Sequence, residues 1–204
     1  ALLFVAMVSP AYAGQQVVIG IAMPTQSEER WVLDLQTMLA EAKKLGIDAR
    51  AQIARNDQNM QNNQIDQLVS QGCKVVIIAP HDGSAAAAIV DKIRKEGVKV
   101  IAYDRLIENC DYEAFVGFDS IQIGRLQGEW LAEHAPKGDY ILLKGAPTDF
   151  NSAISFRGAM QALEPKIKAG DLNVVVTQDV IDCEPANRAR IVEKVVFLSF
   201  ADLP

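Results

Sequence analysis

The stretch QNNQIDQLVSQGCKVVIIAP, residues 61–80, predicts the fold because it contains a helix and a buried strand in immediate succession. Its apolar residues Ile65 and Leu68 recur at helical spacing, and Gly72 follows them as a helix stop signal. The continuous apolar run KVVIIAP, residues 74–80, is typical of a strand that is covered on both faces. A helix that leads directly into such a strand indicates an α/β protein.

The same alternation continues on both sides of this stretch. Helical patterns separate four further strand-like segments, which are VVIGIA, a weaker segment, VKVIAY and EAFVGF at residues 17–22, 47–54, 98–103 and 113–118. Strands that alternate with helices in this way form a parallel sheet with right-handed crossovers. We therefore expect a doubly wound, flavodoxin-like α/β domain over residues 14–118.

A second α/β unit follows over residues 119–204. It has only two clear strands, YILLKG (140–145) and LNVVVTQ (172–178), and a last helix is expected from Pro185. We therefore expect an incomplete second doubly wound parallel-sheet domain. No linker rich in Pro or Ser separates the two domains, which favours a tight hinge at Phe118, Asp119 and Ser120.

The composition is that of a globular protein. The 204 residues are 50% hydrophobic and 23% charged, and the net charge of −6 argues against nucleic acid and anionic membranes as partners.

The N-terminal segment 1–13 is apolar and ends in Ala-Tyr-Ala, which matches the second half of a secretory signal peptide. A buried N-terminal strand or helix is the alternative. With the signal, the mature chain would be periplasmic and not inserted in the membrane.

Signatures of common enzymes are absent from the sequence. It contains no glycine-rich dinucleotide turn, no Walker loop, no GxSxG elbow and no HExxH motif. Cys73, Cys110 and Cys183 allow one disulfide but favour three separate thiols, and none lies at zinc-binding spacing. We therefore expect no catalytic residue, no cofactor and no metal.

Candidate binding residues follow the predicted strands. Ligands of open parallel sheets bind beyond the carboxyl ends of the strands. The segments there contain planar hydrogen-bonding groups and aromatic rings, which suit a small neutral polyol. The main candidates are Arg30, Trp31, Asp104, Arg105, Asn151, Phe156 and Arg157, and the weaker ones are His81, Asp82 and Asp149.

Each of these residues also has a purely structural interpretation. Asp104 and Arg105 could pair with each other or cap a helix. Trp31 and Phe156 lie on apolar helix faces and could belong to the core, and Asp82 could N-cap the third helix. Only the convergence of several segments on one edge of the sheet favours a ligand site.

Four segments carry a resemblance to a known family: IGIAMPTQSEERW (19–31), residues 61–80, IAYDRLI (101–107) and VGFDS (116–120). They resemble the periplasmic sugar-binding proteins of ABC importers, and the similarity is greatest to their xylose-binding and multiple-sugar-binding branch. The resemblance implies capture of a monosaccharide such as xylose between two domains and its delivery to a membrane permease. Some members of the family also present the sugar to a chemotaxis receptor or sensor kinase.

The resemblance also assigns roles to the candidate residues. It implies that Arg30 and Trp31 contact the sugar and that Asp104 and Arg105 bind its hydroxyl groups. It further implies that three residues of the second domain close over the ligand, namely Asn151, Phe156 and Arg157.

Three features depart from the family pattern. Asp149-Phe150-Asn151-Ser152 stands where the branch usually has adjacent asparagines, and Cys183 stands where it has an aromatic residue. The tail VFLSFADLP, residues 196–204, does not match the family's continuation, so we expect a truncated or frameshifted chain. The alternatives to a sugar-binding protein are a ligand-sensing transcription regulator of the same fold, an α/β enzyme, or a non-functional fragment.

Overall fold

A computed structural model describes residues 17–181 and 189–191. The expectations for the signal segment 1–13, for Cys183 and for the tail 196–204 lie outside the described residues. Of the last expected helix, residues 189–191 are described and are helical.

The first unit is a five-stranded parallel sheet, with a helix between each pair of consecutive strands except the last two, which a loop joins. Its elements are β1 (Val18–Met23), α1 (Glu29–Lys44), β2 (Asp48–Ile53), α2 (Gln58–Ser70), β3 (Val75–Ile78), α3 (Ala87–Lys95), β4 (Lys99–Tyr103) and β5 (Ala114–Val116). The strand order is β2-β1-β3-β4-β5, and every neighbouring pair is parallel. This is the flavodoxin-like order, so the predicted fold class is confirmed.

Three glycines end the helices of this unit, among them Gly72, which the sequence predicted as a helix stop. Gly46, Gly72 and Gly97 follow α1, α2 and α3 with φ values of 69°, 93° and 82°. A side chain at such a left-handed φ is strained, whereas glycine adopts it freely and so terminates the helix.

Apolar clusters cover both faces of the first sheet. One cluster contains Ile65, Leu68 and Val100, all fully buried, and the other contains Ile21 and Trp31. Adjacent strand residues point to opposite faces, so helices pack against the sheet on both sides, one cluster lying on each face. The edge strand β5 is the exception because all three of its residues are exposed. The expectation that this run is covered on both faces is therefore wrong.

The second unit contains two long helices and two parallel strands within the described residues. They are α4 (Ser120–His134), β6 (Gly138–Lys144), α5 (Phe150–Lys168) and β7 (Leu172–Asp179). The helices α4 and α5 cross at glycines. A Cβ atom added at Gly124 would overlap the carbonyl oxygen of Ser155, and one added at Gly158 would overlap that of Ile121. The absence of side chains there allows the two backbones to touch.

The segment in which the sequence predicts the boundary between the units leads into α4. α4 begins at Ser120, and the Asp119 carboxylate accepts a hydrogen bond from the Gln122 amide, which caps the helix. Phe118, just before this cap, is exposed. A hinge motion at these residues stays a prediction. None of the helices in the described part of the chain is long and apolar enough to cross a membrane.

Candidate ligand-binding site

A cavity of about 180 Å³ lies where the two units meet. Every residue of its lining follows the carboxyl end of a strand, and the lining consists of Glu28, Asn56, His81, Arg105, Ala146, Thr148 and Ile181. The first four belong to the first unit and the last three to the second. Ligands of open α/β sheets bind at this position, and the cavity could hold roughly six water molecules at ~30 Å³ each.

A larger surface depression of about 850 Å³ lies beside the end of β2. Thr25, Gln52 and Arg55 are among its lining residues, which all come from the first unit. The smaller cavity is the better candidate because both units contribute to it and it is more enclosed.

Arg105 is a predicted site residue that lines this cavity, and contacts with three other residues hold its side chain in place. Its Nε lies 3.2 Å from Oδ2 of Asp149, and both side chains are nearly buried, at 12% and 15% exposed. Its Nη1 donates to the carbonyl oxygen of Pro80 at 3.3 Å, and the guanidinium carbon lies 5.3 Å from the ring centroid of Trp31. The guanidinium is therefore anchored by the surrounding protein while it faces the cavity.

Asp104 does not pair with its neighbour Arg105. Its Oδ2 instead lies 2.8 Å from Nη2 of Arg30, and its own amide donates to the carbonyl oxygen of Val116 at 2.7 Å. The backbone of Asp104 has a φ of 61°, which is uncommon for residues other than glycine. Strained backbone of this kind is concentrated at functional sites.

The surroundings of Asp104 shift the pKa values of two neighbouring side chains, Arg30 and Tyr103. Burial acts to lower the pKa of Arg30, but the hydrogen bond and charge of Asp104, together with the charges of Asp34 and Glu28, outweigh it, so the pKa of Arg30 is raised. Burial, followed by the charge and hydrogen bond of Asp34, raises the pKa of Tyr103 to about 12. The guanidinium therefore stays charged and the phenol stays neutral at physiological pH.

Trp31 lies in the core rather than on the wall of the cavity. It is only 1% exposed and packs in the apolar cluster with Ile21 and Leu35. The guanidinium carbon of Arg30 lies 3.9 Å from its ring centroid, so the ring supports Arg30 as well as Arg105 by cation–π contact. Contact of Trp31 with a ligand stays a prediction, and its observed role is to support the two arginines.

The structure divides the second-unit candidates into two groups. Asn151 reaches the first unit, because its Nδ2 donates to the carbonyl oxygen of Asp104 at 2.7 Å. Phe156 instead lines a separate groove beside β6, with Nζ of Lys144 at 5.3 Å from its ring centroid. Arg157 is exposed further along α5. Phe156 and Arg157 do not belong to the lining of the cleft cavity.

His81 and Asp82 have different environments although they are adjacent. His81 lines the cavity, and its pKa is lowered by burial and, to a smaller extent, by the charge of Arg105. The carboxylate of Asp82 accepts from the amides of Ser84 and Ala85, which stabilises the turn before α3. The N-cap position of α3 itself is Ala86, so Asp82 is not its N-cap.

Comparison with known proteins identifies the family. A model of the periplasmic binding protein domain matches residues 19–196. The chain belongs to this family.

Sugar-binding members are among the relatives of this periplasmic binding protein domain. It is 33% identical to the D-xylose-binding periplasmic protein of Escherichia coli over 88% of this chain and 54% of that protein. It is 37% identical to the multiple sugar-binding periplasmic protein SbpA of Azospirillum brasilense over 81% of this chain and 48% of that protein. The chain thus spans about half the length of the curated relatives it matches, and these are binding proteins rather than enzymes.

A solved structure supports the same fold. The carbohydrate transporter solute binding protein of Chloroflexus aurantiacus, in complex with D-glucose, is 34% identical with a TM-score of 0.73. The match covers 88% of this chain and 55% of that structure. Over the residues matched, the periplasmic binding protein domain described here therefore has the α/β fold of that solute binding protein.

Sequence reasoning missed one structurally important residue of this periplasmic binding protein domain. Gln61 is fully buried, and its Nε2 donates to the carbonyl oxygen of Ala79 while its Oε1 accepts from the amide of His81. Gln61 thus fixes the loop that carries His81. A polar residue four positions before the buried Ile65, on the apolar face of α2, was the available signal.

Glu28 and Asn56 were also missed as cavity residues. Asn56 has a φ of 64°, a conformation that Asn tolerates better than most residues.

Among the described residues, no group of His, Cys, Asp and Glu is arranged to hold a metal ion. Cys73 and Cys110 are free thiols, and Cys183 lies outside the described residues.

Proposed function

We propose that this chain captures a monosaccharide, xylose or a similar aldose, in the cleft between its two units as a periplasmic solute-binding protein. The observation that supports this function best is the cavity at the carboxyl ends of the strands, to which both units contribute. Xylose is the first sugar to consider because relatives at 33% and 34% identity are named for binding it.

The chemistry of the cavity suits a neutral sugar. Arg105 and Asn56 supply N–H donors, Glu28 supplies a carboxylate acceptor, and the hydroxyl of Thr148 acts as either. Charge-assisted hydrogen bonds from the anchored guanidinium would orient the sugar hydroxyls. Asp104 and Arg30 form a second charged pair near this position and belong to the same proposed recognition surface.

Closure of the cleft would couple sugar capture to transport. A ligand that contacts both units stabilises the closed arrangement and so shifts the equilibrium toward it. With a hinge at 118–120, the closed form would be the species that delivers the sugar to the permease of an ABC importer. The same form could be presented to a chemotaxis receptor or sensor kinase.

A thermal-shift panel tests this proposal. The purified chain is heated with D-xylose, L-arabinose, D-glucose, D-galactose or D-ribose, and one of these sugars should raise the melting temperature in a saturable way. L-Xylose is the matched control, because sugars at high concentration stabilise most proteins by exclusion from their surface. Equal shifts with D-xylose, L-xylose and all the other sugars would contradict the proposed function.

A further inference from the structure

The start of α5 contacts the loop after β4 from the opposite side of the cleft. Oδ2 of Asp149 lies 3.2 Å from Nε of Arg105, and Nδ2 of Asn151 donates to the carbonyl oxygen of Asp104 at 2.7 Å. Two neighbouring residues of the first unit are therefore each held by a side chain of the second unit.

The side chains of Asp149 and Asn151 are directed at protein groups. Oδ1 of Asp149 accepts a hydrogen bond from the backbone amide of Asn151 and so caps α5, while its Oδ2 forms the ion pair with Arg105. The side-chain nitrogen Nδ2 of Asn151 donates to the carbonyl oxygen of Asp104. Neither residue belongs to the lining of the cavity, whereas Thr148 of the same segment does. Direct contact with a ligand is therefore not their observed use.

The residues that they hold need this support. Asp104 has a left-handed backbone, with φ at 61°, which costs energy unless surrounding contacts fix it. Arg105 is long and would lose considerable side-chain entropy when ordered. The ion pair with Asp149 restricts the orientation of its guanidinium before a ligand arrives, and preorganisation of this kind increases affinity.

We propose that Asp149 and Asn151 are positioning residues, which fix Asp104 and Arg105 from the second unit before a ligand arrives. Their role in recognition rests on the proposed sugar-binding function. The second unit then does more than cover the ligand, because it also orders two residues of the first unit that recognise it, Asp104 and Arg105. Residues that do not touch the sugar would thereby contribute to its affinity.

Amide hydrogen exchange of the ligand-free chain tests the positioning itself. Asn151→Asp keeps the size of the side chain but replaces the donor that faces the Asp104 carbonyl. Loss of one hydrogen bond should make the amides of residues 104–107 exchange about fivefold faster. The exposed Asn63→Asp is the matched control, and exchange in β3 should stay unchanged in both variants. Asp149→Asn serves as a second variant, because Asn also caps helices and only the charge is lost.

Sugar binding separates this proposal from the proposed function. Calorimetry with D-xylose should show weaker binding for Asn151→Asp and Asp149→Asn than for Asn63→Asp. Weaker binding with unchanged exchange at 104–107 would overturn the positioning role and indicate direct ligands instead. Faster exchange at 104–107 in a chain that binds none of the sugars would support the positioning while the sugar-binding function fails.

Discussion

Arg105→Lys is the substitution that most directly tests the proposed site. Lysine keeps the positive charge but lacks the planar group that contacts Asp149, Pro80 and Trp31 together. Because the side chain is only 12% exposed, the lost contacts should destabilise the fold by about 1–2 kcal/mol. A charge-assisted hydrogen bond to a sugar hydroxyl is worth about 1.5–3 kcal/mol, so its loss should raise the dissociation constant about 10- to 150-fold.

The assay combines calorimetric titration with D-xylose and urea unfolding of the same preparations. Arg125→Lys is the matched control, because Arg125 is 50% exposed on α4 and should tolerate lysine with a change below about 0.5 kcal/mol. The reasoning is refuted if Arg105→Lys folds and binds D-xylose within about twofold of the wild-type chain, since a change that small is below one hydrogen bond.

Two further predictions concern the packing of the second unit and the effect of pH. Gly124→Ala should destabilise the chain by about 1–3 kcal/mol in urea unfolding, because its Cβ would force α4 and α5 apart, while the exposed Glu133→Ala should be nearly neutral. The folded state holds the pKa of His81 below its ordinary 6.5, so the unfolded chain binds the proton first. Stability should therefore fall as the pH drops below 6.5 toward the folded-state pKa. His81→Gln should reduce this fall in melting temperature, and His134→Gln, at an exposed position, should not. An unchanged pH profile in His81→Gln, or a stable Gly124→Ala, would contradict the respective argument.

The order of strands and helices could be predicted from the sequence because each element has its own local pattern. The strand predicted at 74–80 lies at Val75–Ile78, and the helix before it ends at Ser70, just before the predicted stop at Gly72, since a buried parallel strand is apolar throughout and glycine ends the helix. The exposure of β5 could not be predicted in this way. Its run Ala114–Val116 is as apolar as a central strand, and only its place at the edge of the sheet leaves it uncovered.

The candidate site was predicted less completely because its contacts join residues that are far apart in the chain. Asn151 was identified from its type and place, but its bond to Asp104, 47 positions away, depends on how the two units meet. The position of Trp31 on an apolar helix face left its role open, and the structure places it in the core. Gln61 was missed because helical periodicity registers only apolar residues, while its partners are backbone groups of Ala79 and His81 in the loop after β3.

The burial of Trp31 beneath the two arginines gives the protein an internal optical reporter. The chain has two tryptophans, and the other, Trp130, is 58% exposed and stacked on His134. Fluorescence emission from a buried indole lies at shorter wavelength than emission from a solvent-exposed one, so the signals of the two tryptophans separate spectrally. The short-wavelength component should respond to movement of the guanidinium groups above Trp31, and the long-wavelength component should not. Opening and closing of the cleft could thus be followed in the unlabelled protein.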